Sequence, residues 1–362
     1  MKFTVNALFI FRIIAACLCF INIEPIYGQI HISSKSLSFP SNDPNINDIT
    51  QIWEKYISLE NKREKNSLWY GCDYIEYLTP NTRMYNEGFH YTFNISHIRK
   101  NLYEINTISY ILTNPNNLFE TIESIYKVCA IRIDGEWQLT SFLDANISHY
   151  KQTTVPHITY IYPHNYCFTK HKARIASKFI ETFCDEYNLA YPQIKYVVAN
   201  TIDEANYMIG FIYSLWRSDN TLAGRTLYPN TILSTQVDHI HELVHAVILP
   251  NYPRGHYILQ EGIATYYGGT AGKTYSILME LASLWLQNNH CDFSDFSGIS
   301  NIYIDDNIPL TYLLGARLVE YIIDKYGTNK VLELLQVSDY VSIFNHLEID
   351  DINNFVINLF LK

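Results

Sequence analysis

Apolar residues recur in two rhythms along this chain, and the change of rhythm divides it. In "ITQIWEKYISLENK", Ile49, Ile52, Trp53 and Tyr56 fall at helical spacing. This predicts an amphipathic helix at the start of a first domain. The same region closes with "IYKVCAIRIDGEWQLTSFL", where Asp134 and Gly135 separate two β-type runs. Such a pair signals a tight hairpin, because both turn positions need positive φ. Helix first and strands later predicts an α+β domain over residues 47–152.

A second domain is predicted over residues 155–362. "HITYIYP", "IKYVVAN", "YMIGFIY" and "NTILSTQ" read as strands, the last spanning Thr231 to Thr235. "KARIASKFIETFCDEYN" places Ile175, Phe179, Ile180 and Phe183 on one helical stripe. From Val237 onward the pattern is helical, with spans predicted at 237–249, 258–267, 275–287, 310–326 and 330–335. A small α/β lobe is therefore followed by a helical lobe.

The first 28 residues differ from both domains. Lys2 precedes an apolar run from Ala7 to Ile23, broken by Arg12 and, near its end, by Asn22, and Gly28 offers a small residue before Gln29. This predicts a cleaved export signal and a secreted, periplasmic or cell-surface protein. Two other readings tie the chain to a membrane. One is an uncleaved anchor, for which the run is short. The other is lipidation at Cys17 in "IAAC", although apolar residues continue past it. Residues 29–46, rich in Ser, Asn and Pro, predict a linker.

Composition narrows the class. The chain is 48% hydrophobic and only 17% charged, so it is globular and not disordered. Its net charge is −10 and it has no long basic run, which argues against nucleic acid as a partner. Beyond the signal stand Cys72, Cys129, Cys167, Cys184 and Cys291, an odd number without a C-x-x-C pair. That opposes a disulfide framework and a cysteine-held metal. A pairing of Cys167 with Cys184 competes with the reading of buried free thiols.

The chemistry concentrates in "DHIHELVHAVI". His241 and His245 are four apart, so both imidazoles leave one helix face a turn apart and can share a metal ion. Glu242 adjoins them and can reach a water on that ion without binding the ion itself. Ser234 and Thr235 are candidate N-caps, with Asp238 assisting, and Pro250 is expected to end the helix. Two structural histidines on a buried helix would fit the same spacing. His239 is expected to point away from the pair, and His256 has no defined role.

A catalytic zinc takes three protein ligands and leaves one position open. "LQEGIATYYGG" supplies Glu261, beyond a loop that can reverse the chain. Gly262 predicts a close helix–helix approach. Thr265, a turn later, can support a ligating histidine.

"HELVH" followed by "LQEGIATYYGG" resembles the gluzincins, zinc peptidases with a His-x-x-x-His pair and a downstream glutamate. Glu261, Gly262, Ala264 and Tyr266 are similar to the aminopeptidase branch, and so is "IPLTYLLGARLVEYIIDKYG". The resemblance covers residues 157–336. It implies one zinc held by His241, His245 and Glu261, with Glu242 as general base and Tyr312 donating a hydrogen bond to the oxyanion. It also implies a zincin-like domain and a peptide or protein substrate. The strand Thr231 to Thr235 is expected to present an open edge beside the histidine helix, where a substrate backbone can pair. The chain lacks the G-x-M-E-N block with which aminopeptidases hold a free amino terminus, so exopeptidase activity is not implied. The first domain resembles the cone-shaped fold of the nuclear-transport-factor-2 and SnoaL type and reads as an accessory domain. Two alternatives stay open: an exported binding or envelope protein whose zinc only staples helices, and a zinc hydrolase acting on a non-peptide bond.

Overall fold

The computed structural model describes residues 43–57, 68–70, 89–111, 121–214, 224–227, 230–305 and 308–361. The expected export signal, the lipidation site at Cys17, the linker up to residue 42 and Cys72 lie outside them. Among the described residues no helix is long and apolar enough to cross a membrane. The chain is mixed α+β and forms two compact units.

The first unit comprises the chain up to Asn146 together with Tyr207–Ser218. Helix α1 (Pro44–Ile57) starts inside the segment expected to be linker. It buries Ile46, Ile49, Thr50, Trp53, Tyr56 and Ile57, a stripe at helical spacing. Strands β1 (Phe89–Arg99), β2 (Leu102–Ile111), β3 (Thr121–Ile133) and β4 (Glu136–Ser141) form an antiparallel sheet in that order. Asp134 and Gly135, both at positive φ, make the expected hairpin between β3 and β4. Trp53 Nε1 donates to Thr92 Oγ1 at 2.9 Å, which joins α1 to β1.

The second unit takes the rest, Ile147–Asn206 and Asp219–Lys362. "YMIGFIY", expected to be one of its strands, is divided. Its Tyr207 and Met208 end a helix, and Phe211–Ser214 pairs with β3 in the first unit. The turn at Gly210 requires glycine, because φ is +103° and a Cβ would lie 2.6 Å from the Lys127 carbonyl oxygen. The strand therefore serves the sheet with a free partner edge on β3, and local pattern carries no information about that choice.

In chain order the remaining elements are α2 (Phe142–Ala145), β5 (Lys151–Val155), β6 (Ile158–Tyr162), α3 (Lys170–Tyr187), β7 (Ile194–Val198), α4 (Ile202–Met208), β8 (Phe211–Ser214), β9 (Gly224–Leu227) and β10 (Thr231–Ser234). Helices α5 (Ile240–Asn251), α6 (Tyr257–Gly268), α7 (Tyr275–Asn288) and α8 (Phe296–Ile299) follow. The hairpin β11–β12 (Tyr303–Asp305, Ile308–Pro309) leads into α9 (Leu310–Tyr326), α10 (Thr328–Leu334), α11 (Tyr340–Asn345) and α12 (Ile352–Leu361).

The sheet of this unit runs β5-β6-β7-β10-β9. Strands β6, β7 and β10 are parallel, while β5 and β9 are antiparallel edges. Thr231 to Thr235 was expected to be an open edge, but β10 is bonded to β7 on one side and β9 on the other. The edge belongs to β9, too short and too polar ("GRTL") for its pattern to announce it. Helix α3 buries Ala173, Ala176, Ile180, Phe183 and Tyr187, whereas Ile175 is 45% exposed. The small residues Ala173 and Ala176 let the helix lie close to its neighbours, which rotates the buried stripe away from Ile175. One continuous core links this sheet to α5, α6, α9 and α11.

Glycine contact brings α6 against α9. A Cβ on Gly262 would lie 2.4 Å from the Gly315 carbonyl carbon, and one on Gly315 would lie 2.0 Å from the Ile258 carbonyl oxygen. The expected close approach at Gly262 is thus made to α9. Helix α5 is instead met by Gly268, whose Cβ would lie 2.3 Å from the His241 nitrogen. Gly315→Ala gains about 1 kcal/mol of helix propensity but forces backbone apart, a strain of about 1–3 kcal/mol or more. The expected outcome is net destabilisation, read as a lower denaturant midpoint with unchanged slope; a midpoint at or above that of the parent protein would contradict the contact.

Candidate metal centre

The centre begins with the connection from β10 to α5. Its carbonyls would be costly to bury unbonded. Tyr166 donates to the Thr235 carbonyl at 3.1 Å, Tyr196 to Gln236 at 2.6 Å and Tyr160 to Val237 at 2.9 Å. The His239 amide donates back to the Tyr196 hydroxyl at 3.3 Å. Tyr160 on β6, Tyr196 on β7 and Tyr166 in the loop after β6 therefore fix where α5 starts. The expected caps Ser234 and Thr235 lie too early; His239 is the cap residue and makes no side-chain bond there. Pro250 sits in the last turn, one residue before the helix ends.

Helix α5 is buried continuously from His241 to Ile248. His241 and His245 project from one face, their Nε2 atoms 3.2 Å apart. Glu261, a turn into α6, brings its Oε2 to 3.3 Å from each of them. The expected trio thus converges into a buried group that could hold a metal ion. The His241 Nδ1–H donates to the Gly269 carbonyl at 2.9 Å, which points Nε2 at the other two groups. Gly269 turns the chain there with φ +68°.

The charges explain one another. Burial opposes a charge on His241, but the hydrogen bond to Glu261 and that carboxylate's charge lift it to about 9. Burial also opposes a charge on Glu261, yet His245 and the hydrogen bonds of both imidazoles hold it well below the usual carboxylate range.

Glu242 is 7% exposed and is held from the edge strand. Thr226 on β9 donates to its Oε2 at 2.8 Å, and the same hydroxyl lies 2.9 Å from its backbone carbonyl. Gly224, two residues earlier, has no room for a Cβ, which would stand 2.3 Å from His239 Nδ1 and 3.0 Å from Glu242 Cγ. His239 stands outside the trio, with its Nδ1 3.9 Å from Glu242 Oε1, and burial lowers its pKa. Arg225, between these two strand residues, interacts electrostatically with Glu242 and Tyr312, and burial lowers its pKa.

The Tyr312 ring lies 6.0 Å from that of His241, nearly parallel to it. Burial, then the Glu261 carboxylate, then Tyr257 push its pKa far up, so it is a neutral hydrogen-bond donor. Thr265 is fully buried, but its hydroxyl has no hydrogen-bond partner among the described residues and supports neither histidine directly. His256 caps α6 by accepting from the Ile258 amide and packs on Phe296 and Tyr340. The described cysteines Cys129, Cys167, Cys184 and Cys291 are all free.

Sequence reasoning missed Thr226, Arg225 and Tyr257. All three are defined by elements packed across the site, and the only local signal was the phase of Tyr257, four residues before Glu261 on the same helix. No protein-family model and no curated protein sequence matches this chain.

The His241 value sets a pH dependence. Without metal, the stabilising His241–Glu261 pair is complete below about pH 6.5 and is lost as pH rises through about 9. A metal ion competes with that proton, so its affinity should climb by about tenfold per pH unit towards pH 9 and then level off. Chelator competition between pH 6.5 and 9.5 reads this directly, and a flat profile would show that no proton is displaced.

Proposed function

We propose that this chain is an exported zinc-dependent metallopeptidase of the gluzincin type. One observation carries the reading. Ligand atoms about 2.0–2.1 Å from a tetrahedral zinc lie about 3.3 Å from one another. The three donor atoms of His241, His245 and Glu261 stand 3.2, 3.3 and 3.3 Å apart. Two neutral imidazoles and one carboxylate are also a donor set that suits zinc.

Zinc held by His241, His245 and Glu261 would lower the pKa of a water towards neutral. Glu242 accepts a proton as water attacks the peptide carbonyl and returns it to the leaving amine. The Thr226 bond restrains one carboxylate oxygen and leaves the other for this exchange. Tyr312 keeps its proton and donates to the oxyanion. Among the described strands β9 pairs only with β10, and in this reading a substrate backbone adds beside it as a further strand. Thr226 and Arg225 on that strand bring the bound peptide into line with Glu242. In this reading the second unit is a zincin-like domain and the first, with α1 over its antiparallel sheet, a cone-like accessory domain.

The deciding experiment compares wild type with Glu242→Gln, measuring zinc content and cleavage of a peptide library. We expect one zinc per chain in both, and cleavage in wild type alone. Zinc in both without Glu242-dependent cleavage would turn the reading to a structural zinc or to a non-peptide bond. Absence of zinc from a metal-supplied wild type would remove the reading altogether.

A finer test concerns the strand. Thr226→Val removes a hydrogen bond to the Glu242 carboxyl group, worth about 1.5–3 kcal/mol, so kcat should fall by at least about tenfold with zinc content unchanged. An unchanged kcat would remove Thr226 from the positioning of Glu242.

A further inference from the structure

Tyr257 opens α6, one turn ahead of Glu261 and on the same helix face. A tyrosine at a surface ordinarily packs its ring inward and sends its hydroxyl to water. Tyr257 is turned the other way. It is 45% exposed, yet its hydroxyl donates to the Tyr312 oxygen at 3.2 Å, and burial raises the pKa of that hydroxyl. What faces water is therefore largely ring carbon. The Tyr312 ring lies 5.9 Å from that of Tyr257 and 6.0 Å from that of His241, so three rings run from an imidazole of the centre to the surface. Tyr303, 55% exposed on the β11–β12 hairpin, pairs with Pro309 just ahead of Tyr312 and adds apolar surface at the same end of α9.

We propose that Tyr257 is a specificity-determining residue, whose exposed ring receives an aromatic or large apolar side chain of the substrate beside the bond that is cut. The bond that is cut rests on the proposed function; the outward ring and its inward hydroxyl do not. Covering ring carbon is favourable in proportion to the apolar area removed from water, and an open ring face allows the offset and edge-on contacts that aromatic pairs prefer. Successive residues of an extended peptide stand about 3.3–3.6 Å apart, so a carbonyl at Tyr312 leaves a flanking side chain within reach of the neighbouring ring. The ring is held in advance. Its hydroxyl bond fixes one end, and its neighbour His256, the helix cap wedged against Phe296 and Tyr340, fixes the backbone at the other. Because Tyr257 donates and Tyr312 accepts, the Tyr312 proton stays available for the oxyanion.

The test uses two blocked oligoalanine peptides, one carrying a single central Phe, and two readouts. The first is the ratio of kcat/KM for the pair. Wild type should favour the Phe peptide by about tenfold, Tyr257→Phe should keep that ratio because it keeps the ring, and Tyr257→Ala should bring it to within about twofold of unity. The second is equilibrium binding of both peptides to zinc-supplied Glu242→Gln, with and without Tyr257→Ala, where the same preference should appear and vanish. A preference that survives Tyr257→Ala takes the ring out of substrate selection and overturns the inference. One that Tyr257→Phe abolishes equally assigns the effect to the hydroxyl bond and overturns it too. Where neither peptide is cleaved, binding decides alone: equal binding, or none, overturns the inference, while the proposed function stands or falls on the peptide library.

Discussion

Two imidazole nitrogens and a carboxylate oxygen sit 3.2–3.3 Å from one another in the interior of the second unit. This arrangement is costly by itself, because lone pairs facing one another in a buried space repel unless a proton or a cation lies between them. In the metal-free protein the proton on His241 does that work, which is why its pKa rises while that of Glu261 falls. A cation of the right size can replace it. The surrounding fold maintains a cluster that would otherwise relax apart.

Two physical devices hold it. Tyrosine hydroxyls satisfy the carbonyls of residues 235–237, so the chain can pass through the interior and start α5 at a fixed point. Backbone contacts then set the depth of the facing helix: α6 lies on α9 through Gly262 and Gly315, and its end lies on α5 through Gly268. With α6 pinned at both places, Glu261 has little freedom to leave the imidazoles. A side chain as small as alanine at any of the three glycines would meet backbone and not a flexible side-chain tip. The abundance of tyrosine, 30 residues in this chain, thus has a local use here.

Much of the site was legible because its geometry is local. The spacing of His241 and His245 follows from helical period, and Leu310–Tyr326 was read from its apolar stripe to the residue. Glu261 was reachable because a loop with prolines and a glycine lets two helices reverse on each other. What could not be read depends on partners distant in sequence. "YMIGFIY" carried a strand-like pattern, but the pattern does not say which sheet it joins, and it pairs with β3. "NTILSTQ" was rightly a strand and wrongly an edge, since a four-residue neighbour covers it. Ile175 had the right hydrophobicity and the wrong phase, because alanines set the close face of α3. The closeness of His239 to β9 was not legible, because it depends on Gly224 in a strand that the pattern did not announce.

The placement of Glu242 bears on whether the centre is a staple or a reaction site. A structural zinc is closed by four protein ligands. Among the described residues three groups converge, and Glu242, though adjacent in sequence to His241, is outside the cluster. It is nevertheless buried, tethered by Thr226 and crowded by Gly224, with His239 and Arg225 close by. Burying a further carboxylate costs several kcal/mol unless it is paired and hydrogen-bonded, and a staple gains nothing from that outlay. Under the proposed function, a strand that restrains this carboxylate from the edge of the sheet would bring a proton acceptor and a substrate backbone to the same place. It is this restraint, and not the histidine spacing, that separates the proposed hydrolytic reading from a staple.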